Sequence, residues 1–344
     1  MNSTQTQLSL QSPSLQGTFK GANSLKLFYR CWYPVLAEDA AGKCFSAALG
    51  PGSATVSETA LAETALAETA SAESPIAEDL KGQAPIKGVL AIVHGLGEHS
   101  GRYCAVVRAM TAAGYAVFAF DNQGHGKSEG QRGHIDRWKD YRDNAKAFLQ
   151  LVRQQEPTAP LFLMGHSLGG LIVLDYVLRS DQSPQFKALN IAGLVVSAPP
   201  IQPTTGTVSA VRIMMARLLS GLFPRLTLKM GLDKSGLSRD RHVTAKMADD
   251  PLVHPYVTLR WGSETLDTIA WVKAHIAQLK LPILITHGEA DPIIAPAGSC
   301  QLFQQIQTPH KTLNLYPGSY HEPHNDLDAD VVVTDLVNWV NGRL

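Results

Sequence analysis

Short apolar runs alternate with segments of helical spacing from residue 88 onward. The apolar runs span 88–93, 115–120, 161–164, 193–197, 282–286 and 312–316. The segments of helical spacing span 102–113, 138–155, 168–178 and 328–340. Runs that are apolar on both faces are typical of parallel strands covered by helices on both sides. Together with two strands at 17–21 and 25–30, the pattern predicts an α/β architecture with a mostly parallel sheet of eight strands.

The strand–helix alternation stops between residues 198 and 274, where the chain is mostly helical and loop-like. An insertion before the last two strands lies where a lid would cover the carboxyl ends of the sheet, so we expect a helical cap there. Apolar residues crowd its segment 208–223, with Met214 and Met215 among them and arginines in between. Two interpretations stay open: a core helix, or an interfacial helix that dips into lipid and feeds a binding tunnel.

A segment of different composition separates the first two strands from the others. Residues 36–84 contain the repeat ALAETALAETASAES, with a glutamate at every fifth position from Glu58 to Glu78. On an α-helix this period rotates successive glutamates by about 140°, which leaves no apolar face to bury. We expect a solvated acidic insertion, disordered or transiently helical, with a docking arm as the alternative. Residues 1–16 are expected to form a flexible tail, and 17–344 one domain that contains the acidic insertion and the cap.

The composition narrows the classes of partner and compartment. The 344 residues are 44% hydrophobic, enough for a large core, and the formal net charge is zero, so there is no electrostatic case for a nucleic-acid partner. The start of the chain is polar, unlike a signal peptide, and no apolar run reaches 18 residues. We expect a cytoplasmic protein, and peripheral membrane association at its surface stays open.

The motif Gly165-His166-Ser167-Leu168-Gly169 fits G-x-S-x-G and stands between a predicted strand and a predicted helix. This context is the one that a nucleophile elbow requires, because a sharp turn must hold the serine hydroxyl clear of the sheet, near the positive end of the helix. The sequence therefore predicts Ser167 as a nucleophile.

A serine hydroxyl needs a base, which in this arrangement follows an acid along the chain. Asp291 lies just past the strand at 282–286, and His321 lies past the last strand, so both are expected at the edge where the elbow opens. His321 would take the proton from Ser167, and Asp291 would orient the imidazole and stabilise its charged form. Glu289 is an alternative acid and His324 an alternative base. His321 is favoured because it lies nearer the strand end.

The segment His94-Gly95-Leu96-Gly97-Glu98-His99 follows the strand at 88–93. Its glycines let the backbone approach a substrate closely, and the N–H groups of Leu96 and Leu168 are predicted to form an oxyanion hole. His94 and His99 are interpreted as structural hydrogen-bonding residues rather than metal ligands.

No metal or organic cofactor is implied by the sequence. The four cysteines, Cys31, Cys44, Cys104 and Cys300, have no metal-ligand spacing and are expected to be free thiols. The run from His321 to His324 is not H-E-x-x-H, and Pro323 disfavours a helical zinc site. The segment 121–128, DNQGHGKS, lacks the pattern of a phosphate-binding loop and is expected to shape a turn behind the nucleophile.

These motifs together resemble the monoacylglycerol lipase and lysophospholipase branch of the α/β-hydrolase family. The resemblance extends over 17–344 apart from the acidic insertion, and rests on HGLGEHSGRY, DNQGHGKSEGQRGHI, GHSLGG, GLSRD with DDPLVH, HGEADPI and YPGSYHEPHND. It implies the same triad and oxyanion donors, and a helical cap over an acyl-binding tunnel. It also favours the interfacial helix over the core helix in the cap. Gln123 departs from the arginine common at that position, which concerns local packing rather than catalysis.

The expected function is hydrolysis of fatty-acid esters, most of all monoacylglycerols, through an acyl-enzyme. The expected partners are a small-molecule acyl ester and, through the cap, a membrane surface. Alternatives are a lysophospholipase or generic carboxylesterase, an acyltransferase with the same triad, and a non-catalytic binding protein on this fold. Hydrolysis of an epoxide or a haloalkane would require an aspartate at the elbow, so Ser167 argues against both activities.

Overall fold

The computed structural model describes residues 14–34, 85–202, 219–230 and 234–344. The predicted acidic insertion, almost all of the predicted tail and most of the apolar segment 208–223 lie outside these residues. The chain divides into two compact units, one of Met1–Pro34 with Ile86–Leu344 and the other of Val35–Pro85. Every element named below belongs to the first unit.

The strands are β1 (Leu15–Lys20), β2 (Lys26–Trp32), β3 (Gly88–Val93), β4 (Tyr115–Phe120), β5 (Leu161–His166), β6 (Ile191–Ser197), β7 (Thr227–Lys229), β8 (Tyr256–Thr258), β9 (Ile283–Gly288) and β10 (Lys311–Tyr316). Eight of them form one sheet in the order β1-β2-β4-β3-β5-β6-β9-β10. Pairing is antiparallel from β1 to β2 and from β2 to β4, and parallel elsewhere in that sheet. The predicted mostly parallel, eight-stranded sheet is confirmed.

The α-helices are α1 (Cys104–Ala112), α2 (Lys139–Gln155), α3 (Leu168–Ser180), α4 (Pro184–Lys187), α5 (Arg241–Asp249), α6 (Leu259–His275), α7 (Pro296–Gln305) and α8 (Ala329–Asn341). The buried hydrophobic residues form two clusters, and alternate residues of each central strand belong to different ones. The sheet is therefore covered on both faces. One cluster joins the strands to α2, α3, α6 and α7, and the other joins them to α1 and α8.

The insertion between β6 and β9 holds a small antiparallel sheet of β7 and β8 as well as helices. These strands were not expected, because each is only three residues long and β7 is exposed throughout. The last helix of the insertion, α6, contributes Trp261 and Val272 to the main core. The last part of the predicted cap range therefore flanks the sheet. At the other end of the chain, β1 begins at Leu15, inside the predicted tail.

Among the described residues, no helix combines the length and the apolar composition needed to cross a membrane. The candidate site lies at the edge of the sheet where β3, β5, β9 and β10 end. The segments 94–99, 167–169, 289–294 and 317–326 leave the strands at this edge, and each carries residues singled out from the sequence.

Candidate active site

Ser167 occupies the turn between β5 and α3 with φ 50° and ψ −119°. A positive φ is strained for a non-glycine residue and is kept only where the surrounding structure enforces it. The turn is enforced by close packing, since a Cβ on Gly165 would collide with the carbonyl of Gly169, and one on Gly169 with the carbonyl of Val93. The Ser167 amide also donates to the Ser197 carbonyl at 2.8 Å. The sequence at the elbow thus forces the hydroxyl away from the sheet, and Ser167 remains partly exposed.

The three side chains of the predicted triad form one hydrogen-bonded series. His321 Nε2 lies 2.9 Å from Ser167 Oγ, and His321 Nδ1 lies 2.7 Å from Asp291 Oδ2. A carboxylate only accepts, so Nδ1 carries the proton and Nε2 is free to accept from the serine hydroxyl. His321 and Asp291 are both buried. Residues 124 and 154 positions away from Ser167 are therefore brought to its hydroxyl in the protonation state that a general base requires.

Asp291 is anchored by more than His321. Its Oδ1 accepts from the amides of Ile293 at 2.8 Å and Ile294 at 3.0 Å, and its Oδ2 is also 3.0 Å from His287 Nε2. Burial alone would raise the pKa of this carboxyl, but the charge of His321 and the hydrogen bonds outweigh it and hold the pKa well below its usual value. The carboxylate is thus fixed in place and ionised.

His321 experiences the opposite balance. Burial works to lower the pKa of its imidazole, and the negative charge and hydrogen bond of Asp291 more than compensate, so the pKa is raised above the ordinary value of 6.5. The site therefore favours the imidazolium that would form when a serine proton is taken up.

The alternative acid and base lie elsewhere. Glu289 is exposed, whereas Asp291 is buried. His324 is buried but stacks on Tyr103, with ring centroids 5.1 Å apart, and neither of its ring nitrogens has a hydrogen-bond partner. Of the two histidines, it is His321 that reaches Ser167.

His287 stands in the HGEAD motif, but no role for it was predicted from the sequence. This fully buried residue lies between Asp291 and Ser299, with its Nδ1 2.7 Å from Ser299 Oγ. It gives Asp291 a second imidazole partner and ties the acid loop to α7. The signal was available as a histidine four residues before the acid, but its contact with Ser299 depends on a helix that was not predicted.

The segment after β3 is held by its histidines. His94 Nδ1 donates to the Gly95 carbonyl at 2.7 Å, and its Nε2 accepts from the Asn122 amide at 2.8 Å. His99 Nε2 lies 2.9 Å from the Asp250 carboxylate. Both nitrogens of each ring therefore make contacts within the protein. Among the described residues, no group of three or more His, Cys, Asp or Glu side chains could hold a metal ion.

Gln123 fits its position. It is buried, its amide oxygen accepts from Asn144 at 2.9 Å, and its amide nitrogen donates to the His134 carbonyl at 3.3 Å. The departure from arginine is therefore accommodated by local hydrogen bonds, neither of which involves a triad residue.

Ser167 and His321 open onto a cavity of about 250 Å³. Its wall includes the predicted oxyanion donors Leu96 and Leu168, and much of the remainder is apolar. The apolar contributors from the insertion and the acid loop include Met230, Leu237, Met247, Trp261, Ile293 and Ile294. Pockets of this kind take ligands whose reacting group is polar and whose body is apolar.

Comparison with known proteins agrees with this architecture. Residues 84–328 match the family Hydrolase_4, described as serine aminopeptidase, S33. The chain is 32% identical over 259 residues to the monoacylglycerol lipase of Mycolicibacterium smegmatis, covering 75% of this chain and 89% of that protein. It is 34% identical over 257 residues to an uncharacterized abhydrolase domain-containing protein of Dictyostelium discoideum, covering 74% of this chain but only 26% of that protein.

A solved structure agrees as well. The crystal structure of Paleococcus ferrophilus monoacylglycerol lipase superposes with a TM-score of 0.67 at 32% identity, covering 76% of this chain and 96% of that one. The family match covers well over half of the chain, and it includes the elbow, the acid loop and the loop of His321. The chain therefore belongs to the Hydrolase_4 family and has the α/β-hydrolase fold.

Proposed function

We propose that this protein is a serine hydrolase that cleaves fatty-acid esters, with monoacylglycerols as its main substrates. The observation that carries the proposal is the series Ser167–His321–Asp291, which opens at Ser167 onto an apolar cavity. The partly exposed hydroxyl is accessible to an ester, while the base and the acid behind it are buried.

In the acylation half-reaction, Ser167 Oγ attacks the ester carbonyl carbon as its proton passes to His321 Nε2. The negative charge that develops on the carbonyl oxygen is stabilised by the N–H groups of Leu96 and Leu168. The tetrahedral intermediate collapses when His321 returns the proton to the leaving alcohol oxygen, which breaks the ester bond. Asp291 keeps the imidazole in the reactive tautomer and stabilises its positive charge throughout.

Deacylation repeats these steps with water. His321 takes a proton from the water, whose oxygen attacks the acyl-enzyme carbonyl, and then returns the proton to Ser167 Oγ as the fatty acid leaves. No metal or organic cofactor takes part in this scheme.

The choice of an acyl substrate rests on the cavity and on the relatives. Met230, Met247, Trp261 and Leu237 offer an apolar wall, and unbranched methionines adapt to flexible chains. The relatives from Mycolicibacterium smegmatis and Paleococcus ferrophilus carry the name monoacylglycerol lipase. An acyl chain in this cavity would place its ester carbonyl at Ser167.

The decisive assay is release of fatty acid from a monoacylglycerol. Ser167→Ala is expected to lower turnover by about 10⁶-fold, as loss of a triad serine does elsewhere. A fluorophosphonate probe should label the wild type and leave Ser167→Ala unlabelled. A wild type that the probe does not label would indicate a binding protein, whereas acyl transfer to an added alcohol in preference to water would indicate an acyltransferase.

We also propose that the insertion contacts a lipid surface. Leu222, Phe223, Leu226 and Leu228 are 74%, 57%, 51% and 45% exposed, and Arg225 and Lys229 lie among them. Exposed apolar side chains interspersed with cations are typical of segments that sit at a membrane interface. They lie on the same insertion as Met230, which lines the cavity, so a lipid substrate would enter close to its source.

This contact is tested by co-sedimentation with vesicles that contain anionic lipid. Phe223→Ser is expected to weaken vesicle binding. Val331→Ser is a matched control, because Val331 is 56% exposed but lies on α8, outside the exposed apolar segment 222–228. Equal vesicle binding by the wild type and Phe223→Ser would contradict the proposed contact.

A further inference from the structure

Three charged side chains form a buried cluster beside the site, outside the series of Ser167, His321 and Asp291. Arg102 Nη1 and Nη2 each donate to one oxygen of Glu322 at 2.7 Å, and Nη1 also donates to Glu98 Oε2 at 2.9 Å. The side chains of Arg102, Glu98 and Glu322 are only 9%, 3% and 2% exposed. Buried ion clusters add little net stability, because each charge must be removed from water. Stability alone therefore does not explain why this cluster is present, and we look for a functional role.

Glu98 holds the segment that follows β3. Its Oε1 accepts from the Gly95 amide at 2.6 Å and from the Tyr103 hydroxyl at 2.9 Å. Gly95 immediately precedes Leu96, whose N–H is proposed to stabilise the oxyanion. Removing Glu98 would therefore free the backbone one residue before that donor.

Glu322 holds the loop of His321. It is the next residue along the chain, its amide donates to the Leu237 carbonyl at 2.8 Å, and its Oε2 accepts from Asn325 at 2.9 Å. The two-point contact with Arg102 spans 220 residues of sequence. A planar guanidinium that binds a carboxylate through two parallel hydrogen bonds fixes orientation as well as distance.

The cluster also carries net charge. Two carboxylates face one guanidinium, so a formal charge of about −1 remains beside the imidazole of His321. Burial would raise the pKa of the Glu322 carboxyl, but the charge and hydrogen bonds of Arg102 outweigh it and lower the pKa to about 2. Glu322 is therefore ionised at any pH at which the protein would work.

The other titratable groups around His321 do not cancel this charge. Asp291 faces it from the acid loop, and His166 from β5, with ring centroids 5.1 Å apart. Burial lowers the pKa values of His166 and His324, so both rings stay neutral. His287, on β9, spends its Nε2 on Asp291. The carboxylates of Asp291, Glu322 and Glu98 all raise the pKa of His321.

We propose that the cluster of Glu98, Arg102 and Glu322 positions the oxyanion segment and the His321 loop relative to each other, and that its excess negative charge stabilises the imidazolium of the transition state. The inference rests on the proposed hydrolase function. The three are positioning residues, since they act through the Gly95–Leu96 backbone and through His321. The geometry of the cluster and its net charge can be changed separately, so each of the two roles can be tested by a different substitution.

Glu322→Gln removes the charge and weakens the two-point contact. Measured on a water-soluble p-nitrophenyl ester, kcat is expected to fall by about 10- to 100-fold with KM nearly unchanged, as expected when reacting groups are misplaced by less than an ångström. The acid limb of kcat/KM is expected to move to lower pH, because the imidazolium loses a stabilising charge.

Glu322→Asp and Arg102→Lys separate the roles. Both keep the charge of the cluster, but the shorter carboxylate and the single ammonium cannot make the two-point contact. Each is expected to lower kcat while the acid limb stays where it is in the wild type. If Glu322→Gln does not fold, Glu322→Asp and Arg102→Lys still test the positioning role. A wild-type kcat in both of these variants overturns the inference.

Asp175→Asn is the matched control. Asp175 is also fully buried and paired with two arginines, Arg142 and Arg179 at 2.8 Å, but it does not line the cavity. Circular dichroism and thermal unfolding report folding of every variant. A drop in kcat in Asp175→Asn as large as in Glu322→Gln, or an unchanged kcat and acid limb in Glu322→Gln, refutes the positioning role. A wild type that the fluorophosphonate probe does not label overturns the proposed function and this inference together.

Discussion

Asparagine in place of Asp291 gives the most informative single change in the site, because it keeps the shape and reverses one hydrogen-bonding role. In the wild type, Oδ1 accepts from two backbone amides while Oδ2 faces His321 Nδ1 and His287 Nε2. The amide oxygen of asparagine must stay with the two backbone N–H donors, so its NH₂ group faces the two imidazoles. Both rings then have to present an acceptor to it.

This exchange inactivates the base without emptying the site of hydrogen bonds. His321 becomes protonated on Nε2, so it can no longer accept the proton of Ser167, which lies 2.9 Å away. His287 becomes protonated on Nδ1 and donates to Ser299 Oγ, which lies 2.7 Å away and can accept. Of the groups around the two rings, only the Ile294 carbonyl, 3.1 Å from His287 Nε2, loses its donor, so we expect the fold to survive.

The expected loss in kcat is about 10⁴-fold, the magnitude that a wrong histidine tautomer causes in serine proteases, and corresponds to about 5.5 kcal/mol of transition-state stabilisation. The assay is hydrolysis of a soluble ester together with the rate of fluorophosphonate labelling, and near-ultraviolet circular dichroism checks the fold. Asp335→Asn serves as the control. Asp335 lies on α8, accepts a hydrogen bond from the Tyr316 hydroxyl at 3.1 Å and contacts no triad residue. An Asp291→Asn variant that keeps activity within tenfold of the wild type would refute the assignment of Asp291 as the orienting acid.

Four further outcomes are expected. The acid limb of kcat/KM should have its midpoint above 6.5, because the pKa of His321 is raised and only the neutral imidazole acts as a base; a midpoint below 6.5 contradicts this. The stability difference between the wild type and Glu322→Gln should be largest above pH 4.5 and vanish as the pH falls toward about 2, because a carboxyl with a lowered pKa stabilises the fold only while ionised; denaturant unfolding across pH measures it. Gly169→Ala should destabilise the protein by several kcal/mol, because the added Cβ would collide with the Val93 carbonyl. At Gly262 in α6 an added Cβ has no atom within 4 Å, so Gly262→Ala should stabilise the protein by about 0.5–1 kcal/mol. Phe148→Ala in the core should cost about 3–5 kcal/mol, and a loss below 1 kcal/mol would mean that the site collapses around the missing ring.

The sheet could be predicted from the sequence because its central strands are buried on both faces. Unbroken apolar runs such as Tyr115–Phe120 admit few other interpretations, and the strand boundaries agree to within two residues. The helix α7 was missed for the opposite reason. Pro296–Gln305 has a weakly amphipathic composition with proline, glycine and serine near its start, and it is held mainly by contacts with β9 and β10. Such a helix depends on tertiary packing that local spacing does not encode.

The side chains of the site divide in the same way. Ser167 could be found because the elbow imposes glycine at Gly165 and Gly169, and Asp291 and His321 because strand ends fix their places. His287, Glu98, Arg102 and Glu322 stood in the same motifs, but nothing local indicated their partners. The ion pair from Arg102 to Glu322 joins residues 220 positions apart, and its existence depends on the packing of two loops. Pairing of this kind requires coordinates.

The described part of the insertion is built into both loops of the site rather than merely placed over them. On one side the His254 amide donates to the Gly97 carbonyl at 3.0 Å, and Asp250 pairs with His99 at 2.9 Å. On the other, Leu237 accepts from the Glu322 amide at 2.8 Å, and Arg239 binds Asp326 at 3.1 Å. The oxyanion segment and the His321 loop are therefore each held twice, by the cluster around Arg102 and by the insertion. Because those contacts share backbone with the reacting groups, a ligand or lipid surface that displaced these segments would alter the geometry of catalysis as well as access to the cavity.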